Sequence, residues 1–400
     1  MKFQSDYVII GAGIIGLAIA RELKRRFSGS TITILEKESD VAFHSSGRNS
    51  GVLHAGFYYT ADSLKAKLTK DGNRLLREYC YENNLKINEC QKVVVAKDES
   101  EIDLLTELEN RGKINGVNVS LIDEKELAEI EPNAKTCKYA LLSPTTATVD
   151  PIEVSGCLKS ELQEEGINFS FNEKYLRKMD DNTIETTSGS RYRGERIINA
   201  AGLYADRIAK DFSFSTDYTI IPFKGIYLRY TKSDKPLRTN IYPVPDLNNP
   251  FLGIHFTVTV DDTIEIGPTA IPAFWRENYR GFSQFKFDEL IQILGYESKL
   301  FLTNAFNFRR LTVEEVKKYN RKYFIGRAAR LVKQIDPAGF SEWGRPGIRA
   351  QLLNTNTLEL VQDFIVEGNK SSIHILNAVS PAFTSSFSFA AWVVDNYIIE

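Results

Sequence analysis

Four histidines, His44, His54, His255 and His374, are the whole neutral-pH acid–base supply of this 400-residue chain. An unperturbed histidine titrates near neutrality, so a histidine general base must be one of these four. Arg349, in the stretch GIRAQ, carries a planar fork that can clamp a carboxylate. Gly347 and Ala350 beside it would let a flat ring approach, and the plainer alternative is a surface ion pair. Cys80, Cys90, Cys137 and Cys157 form no CxxC pair and stand at no metal spacing with a histidine. They read as reduced thiols of a cytosolic protein, and no metal centre is expected. The last signal is built from glycine. Gly11, Gly13 and Gly16 spell GxGxxG, and Glu36 follows 20 residues after Gly16.

That glycine pattern is weak alone and specific in context. YVII at 7–10 reads as a short buried strand, the segment 16–27 as a helix ending in basic residues, and TITILEKE at 31–38 as a second strand. In such a βαβ unit Gly11 permits the tight turn. Gly13 lets the backbone approach a pyrophosphate, and Gly16 lets helix and strand pack closely. The helix start, at Ile14 and Ile15, offers unbonded amides and a positive dipole end to the phosphates. Glu36, with Lys37 beside it, reaches the ribose hydroxyls. The pattern itself fits NAD or FAD. Two features favour FAD: the turn comes as early as residue 11, and a Ser/Gly-rich segment follows the acid closely. Ser45, Ser46, Arg48, Asn49, Ser50 and Gly51 lie where a flavin enzyme threads its chain past the pyrophosphate and the ring.

These residues need a scaffold. The formal charge is −2, from 50 basic and 52 acidic side chains, so no global field recruits nucleic acid, and no nucleic-acid partner is expected. Neither a signal-peptide pattern nor an apolar run of spanning length is present, so a cytoplasmic location is expected. Peripheral contact with the inner face of a membrane stays open. Strand patterns lie near 91–97 and 139–143. A helix is expected over 149–166, with Asp150 near its cap and Pro151 at its first position. RIINAAG at 196–202 reads as a strand ending at the small residues Ala200, Ala201 and Gly202. Residues 219–275 read as β, with a hairpin from FLGIHFTVTV to TIEIGPTAI. Residues 283–320 look helical, SSIHILNAVS reads as a strand, and a final helix starts near Phe387. The expected class is α/β. A discontinuous Rossmann-type (glutathione-reductase-like) FAD domain would comprise 1–88, 148–218 and 340–400. An inserted β-rich α+β substrate domain would comprise 89–147 and 219–339.

SSGRNSGVLHAGFYYTADSLKAKL at 45–68 resembles the signature of the FAD-dependent D-amino-acid-oxidase-like superfamily. It is most similar to the L-2-hydroxyglutarate oxidase/dehydrogenase branch, whose pattern runs roughly GxNSGVIHAGxYYxPxSLKAKL. RIINAAGLYADRIA at 196–209, IPFKGIYL at 221–228, the 251–270 hairpin, PGIRAQL at 346–352 and NAVSPAFTSSFSFA at 377–390 extend the resemblance nearly end to end. It implies FAD, a small 2-hydroxy acid substrate with L-2-hydroxyglutarate favoured, and oxidation to the 2-oxo acid by hydride transfer to flavin N5.

Carried over by position, His54 is the base that takes the hydroxyl proton. His255 binds the substrate carboxylate or shares that role, unless it is an ordinary strand histidine. Arg349 is the carboxylate clamp, with Lys224 and Tyr59 as further substrate contacts. Pro381, Thr384 and Ser385 belong to the cofactor site, where Thr384, Ser385 and Ser386 would cap a helix aimed at the flavin pyrimidine. His44 reads as a surface residue and His374 as structural. Lys224, Ile226, Thr269 and Arg48 depart from the family pattern, which bears on the substrate more than on the reaction. An FAD-dependent amine or amino-acid oxidase is the rival on the same fold, and a non-catalytic flavin-binding subunit the rival of another class. Oxygen, a quinone or an electron-transfer protein would accept the electrons.

Overall fold

The computed structural model describes residues 2–246 and 253–399. Short β-branched runs such as ITIL at 32–35 are buried along their whole length, as strands covered on both faces must be. Five such strands lie parallel in the order Asn168–Ser170, Ile32–Leu35, Lys2–Ile10, Arg191–Asn199 and Ser372–Asn377. Antiparallel strands at Tyr175–Asp180, Thr183–Thr186 and Ile365–Gly368 extend this sheet. The order reverses direction at Lys2–Ile10. In open α/β sheets the crevice beyond the strand C-termini at such a reversal is the ligand site.

Four helices bury one face of the parallel sheet: Ile14–Arg26, Leu64–Glu82, Pro151–Glu164 and Ser386–Tyr397. Leu17, Ala20 and Leu23 of the first of these are wholly enclosed, at the spacing of one helical stripe. The Asp150 carboxylate accepts N–H bonds from Ile152 and Glu153, and Pro151 holds the first position. Buried Arg276 closes a two-bond ion pair on buried Asp206, at 2.7 and 2.9 Å.

Segments falling between the parallel strands build a second sheet of eight. Its order is Phe340–Trp343, Leu228–Tyr230, Ile264–Gly267, His255–Val258, Asn240–Pro243, Lys92–Val95, Tyr139–Ser143 and Ser120–Asp123. Its pairs are antiparallel except Asn240–Pro243 with Lys92–Val95. The expected hairpin appears as His255–Val258 and Ile264–Gly267, while Phe251 and Leu252 of its predicted first strand lie outside the described residues. A separate three-stranded ribbon pairs Ile271–Pro272, Tyr218–Gly225 and Gly347–Asn354, all antiparallel. The helical region resolves into Phe287–Thr303 and Phe308–Lys317, and the last helix is Ser386–Tyr397.

Candidate active site

One cavity of about 650 Å3 runs from the glycine turn, past the segment 45–54, to His255 and Arg349. That size suits a small-molecule or cofactor site. At its first end the backbone sets the shape. Gly11 has φ +109°, and a Cβ there would meet the Ala200 carbonyl oxygen at 2.5 Å; a Cβ on Gly16 would meet the Gly11 oxygen at 2.0 Å. Both positions require glycine. Glu36 is fixed by accepting the N–H of Ala12 at 2.9 Å and of Glu38 at 3.0 Å. Its carboxylate therefore both closes the turn and lines the cavity.

The segment 45–51 is laced to its surroundings. Ser46 Oγ accepts the Ile14 N–H at 2.9 Å, at the start of the first helix. Ser45 Oγ donates to Ile348 O at 2.8 Å and Arg48 Nη1 to Pro346 O at 3.2 Å, which holds this segment against the strand that carries Arg349. Asn49 accepts the Gly51 N–H at 2.9 Å and donates to Ser46 O at 2.7 Å, forming the turn before His54. Ala200, Ala201 and Gly202 close the wall on the other side, where Asn199 Nδ2 donates to Ala205 O at 2.8 Å and to His374 Nδ1 at 3.1 Å.

The far end is made of side chains. The His54 N–H donates to Thr384 Oγ1 at 3.1 Å, Thr384 donates to Val52 O at 3.3 Å, and Asn73 Nδ2 donates to His54 O at 3.2 Å. The backbone is thus pinned from the helix Leu64–Glu82 and from the turn before Ser386–Tyr397, while the imidazole lines the cavity. Burial first, then the charge of Lys92 and the neighbouring His255, hold His54 well below the usual histidine range. It is a neutral base at pH 7. His255 stacks on Tyr242 with ring centres 3.7 Å apart, and its Nδ1 donates to Gly253 O at 3.0 Å, which leaves Nε2 as the acceptor. Burial, with Lys92 next in size, pushes its pKa down to about 3.

Lys92 is fully buried, and its Nζ has no hydrogen-bond partner among the described residues. It faces the rings of Tyr242, Tyr58 and Phe57 at 4.4, 5.2 and 5.5 Å. Desolvation brings its pKa down to about 7, since π faces offset only part of the cost of a buried charge. Arg349 Nη1 donates to Thr269 O at 2.8 Å, and burial lowers the guanidinium pKa. Lys318 and Glu315 form a buried ion pair on the same wall. Tyr227 joins them, its hydroxyl pushed up to about 12 by burial.

A family model described as FAD dependent oxidoreductase matches residues 6–396. The chain belongs to that family. It is similar to the human protein named L-2-hydroxyglutarate dehydrogenase, mitochondrial, at 36% identity over 98% of this chain and 88% of that one. It is 37% identical to the L-2-hydroxyglutarate dehydrogenase of Indibacter alkaliphilus, over 99% of this chain and 98% of that one. Among solved structures it resembles the FAD-bound L-alpha-glycerophosphate oxidase of Mycoplasma pneumoniae, with a TM-score of 0.76 and 22% identity, covering 98% and 94% of the two chains. Glycine oxidase from Geobacillus kaustophilus gives a TM-score of 0.72 at 18% identity, again covering 98% and 94%. Those two likenesses show the fold, a Rossmann-type FAD-binding unit with a β-rich insertion.

The cofactor is FAD, and the cavity fits it. The glycine turn and the Ile14–Arg26 helix start form a cradle for the pyrophosphate, Glu36 and Lys37 lie at the ribose end, and 45–54 runs along the wall towards the ring end. The residues expected there line the cavity together: Gly11, Gly13, Ile14, Ile15, Glu36, Lys37, Ser45, Ser46, Arg48, Asn49, Ser50, Ala200, Ala201, Gly202, Pro381 and Thr384. His54, His255 and Arg349 do so at the far end.

Five placements differ from expectation. Gly16 and Gly51 sit behind the wall, the latter because a Cβ there would meet Val149 O at 2.1 Å. Ser385 is also behind it; its hydroxyl donates to Pro381 O at 3.2 Å. It holds the N-cap position without a side-chain cap bond, and Thr384 serves the His54 strand instead. Lys224 is not on the wall either. Phe223 pairs with Arg349 across the ribbon, so Lys224, one residue on, points to the opposite face, where Nζ donates to Asn278 at 3.2 Å. Tyr59 packs in the core below, 5.7 Å from Lys65 Nζ.

His44 is likewise no simple surface residue. Its ring is half-buried and joins Lys37, Glu38 and Tyr279. Glu38, His44 and Glu277 come close enough to hold a metal ion, but the Lys37 ammonium already bonds all three. Lys92, Lys318, Glu315, Tyr227 and Tyr242 were missed in the sequence. Each reads there as an ordinary strand-end or helix-end residue.

Proposed function

We propose that this FAD-dependent oxidoreductase converts L-2-hydroxyglutarate to the corresponding 2-oxo acid. The observation that supports it best is a neutral histidine and a half-buried arginine at one end of the FAD cavity. The relatives named above carry this substrate in their names. When bound, FAD supplies the two-electron acceptor for the hydride that leaves the substrate. Arg349 takes the carboxylate beside the reacting carbon with its two-donor fork. His54 takes the hydroxyl proton, which its depressed pKa allows at neutral pH. His255, whose Nε2 carries no proton and lines the same cavity, is the alternative acceptor of that proton. We infer further that 1–88, 148–218 and 340–400 act as the FAD-binding unit and 89–147 with 219–339 as the substrate unit.

Anaerobic mixing with L-2-hydroxyglutarate should bleach the visible flavin band. A yellow protein that stays yellow with this acid, but bleaches with another hydroxy acid or an amino acid, would sink the substrate reading.

The electrons leave near a membrane. The helix Phe287–Thr303 shows an apolar face to solvent: Phe287, Ile291, Leu294 and Leu302 are exposed, while Glu289 and Glu297 are buried beside Ile293 and Leu300. Phe282 beside it is 84% exposed. Residues 280–333 hold twelve basic and five acidic side chains, a net of +7 in a chain of net −2. An apolar stripe flanked by cations suits the anionic inner face of a bilayer. Among the described residues no helix is long and apolar enough to cross a membrane. A bilayer quinone is the acceptor this seating favours. The protein should float with anionic vesicles and release in high salt; failure to float with them would remove the membrane from the account.

A further inference from the structure

The geometry points to Lys318 as the residue that selects a dicarboxylic substrate by binding the carboxylate remote from the reacting carbon. The inference rests on the 2-hydroxy-diacid reading above and adds the residue that distinguishes a diacid from a monoacid.

Lys318 follows the helix Phe308–Lys317, and it is buried where that helix meets the cavity wall. Its ammonium pairs with Glu315, one turn earlier. Glu315 is in turn fixed, since its other oxygen accepts the Ala270 N–H at 2.5 Å. The preceding carbonyl, Thr269 O, accepts Arg349 Nη1 at 2.8 Å. A single turn, 269–270, therefore holds both cations, one through a carbonyl and the other through a carboxylate. Both line the cavity with His255, which feels the positive charge of each.

Arg349 and Lys318 both line this end of the cavity, and Glu315 on the same wall pairs with Lys318. An ammonium carries three donors, and Glu315 takes one. A ligand with two carboxylates can bond Arg349 with one and the remaining Lys318 donors with the other. A monoacid meets Arg349 and leaves the remaining donors of the buried Lys318 without a carboxylate, which costs binding. A hydroxy acid with one carboxylate is thereby rejected by the same group that holds the diacid.

Equilibrium binding to the FAD-loaded protein tests this without turnover. Calorimetry would compare glutarate with valerate, five-carbon acids that differ in the second carboxylate. Wild type should prefer glutarate. Lys318→Met combined with Glu315→Gln, which leaves no charge unpaired, should lose glutarate affinity by about 10- to 100-fold, the range for a charge-assisted hydrogen bond. Valerate affinity should change less than about threefold on the same scale. Lys318→Arg, which keeps the charge, should retain the preference. Equal losses for both acids, or no preference in wild type, overturns the role of Lys318. Selective glutarate binding in a protein that L-2-hydroxyglutarate fails to bleach would keep Lys318 as a diacid site and sink the reaction reading alone.

Discussion

The two ends of the cavity are built on different principles. At the nucleotide end the backbone sets the shape: Gly11 and Gly16 are demanded by carbonyl oxygens 2.5 and 2.0 Å from where a Cβ would sit, and the helix start supplies the donors. At the far end side chains do so, from segments far apart in sequence: His54, His255, Lys318 and Arg349 on the wall, with Lys92 buried close enough to act on both histidines. The first end is local and holds a ligand that never changes. The second is assembled by tertiary structure and can be altered residue by residue while the cradle stays whole.

Breaking the backbone end should have the largest effect. Gly11→Val drives a branched side chain into the Ala200 carbonyl, so the purified protein should be colourless and stay so after incubation with FAD. A yellow variant with normal flavin content would show that the turn tolerates a Cβ.

Breaking the side-chain end should spare the cofactor. His54→Ala should keep its flavin band but be reduced about 10²- to 10⁴-fold more slowly, the usual worth of a general base. Unchanged reduction would pass the base role to His255.

A subtler change sharpens the electrostatics. Lys92 lowers the proton affinity of both His54 and His255. Lys92→Met removes that charge, so the histidine pKa rises and the acid limb of kcat/KM moves to higher pH, by roughly half to one unit. A limb that stays put, or moves down, would show that burial alone sets the histidines.

The smallest effect concerns stability. His374, enclosed in the parallel sheet, has its pKa pushed down to about 4 by burial, then by Lys178. Below the unfolded value of 6.5 the unfolded chain binds a proton that the folded one refuses. Stability therefore falls as pH drops from about 6.5 towards 4. His374→Gln should flatten that fall in the melting temperature, with little change at pH 8. A steeper acid slope in the variant would contradict the buried neutral state.

The same contrast explains what could be read from sequence. GxGxxG, Glu36 and the 45–51 segment are legible because backbone geometry demands glycine, or a short polar residue, at fixed offsets. Lys224 misled because its neighbour, not itself, pairs with Arg349, and strand alternation turns it away. Lys92 opens the strand KVVV, where a lysine looks like a solvated flank; only the sheet shows it beneath three aromatic rings. Lys318 sits in VEEVKKYN at a helix end, where charge is ordinary, and the bond from Ala270 that fixes its partner Glu315 is 45 residues away in the chain. Thr384 reads as a cap by composition, but the nearby His54 amide took its oxygen.

The strand Ser372–Asn377 and the helix Ser386–Tyr397 complete a sheet and core begun at Lys2. Thr384, at that helix, also pins His54. A nascent chain that has left the ribosome only as far as residue 360 therefore holds the glycine turn without the layer that seals it. The sheet and core under the cradle thus close only when the last segment folds, the kind of long-range closure that folds late.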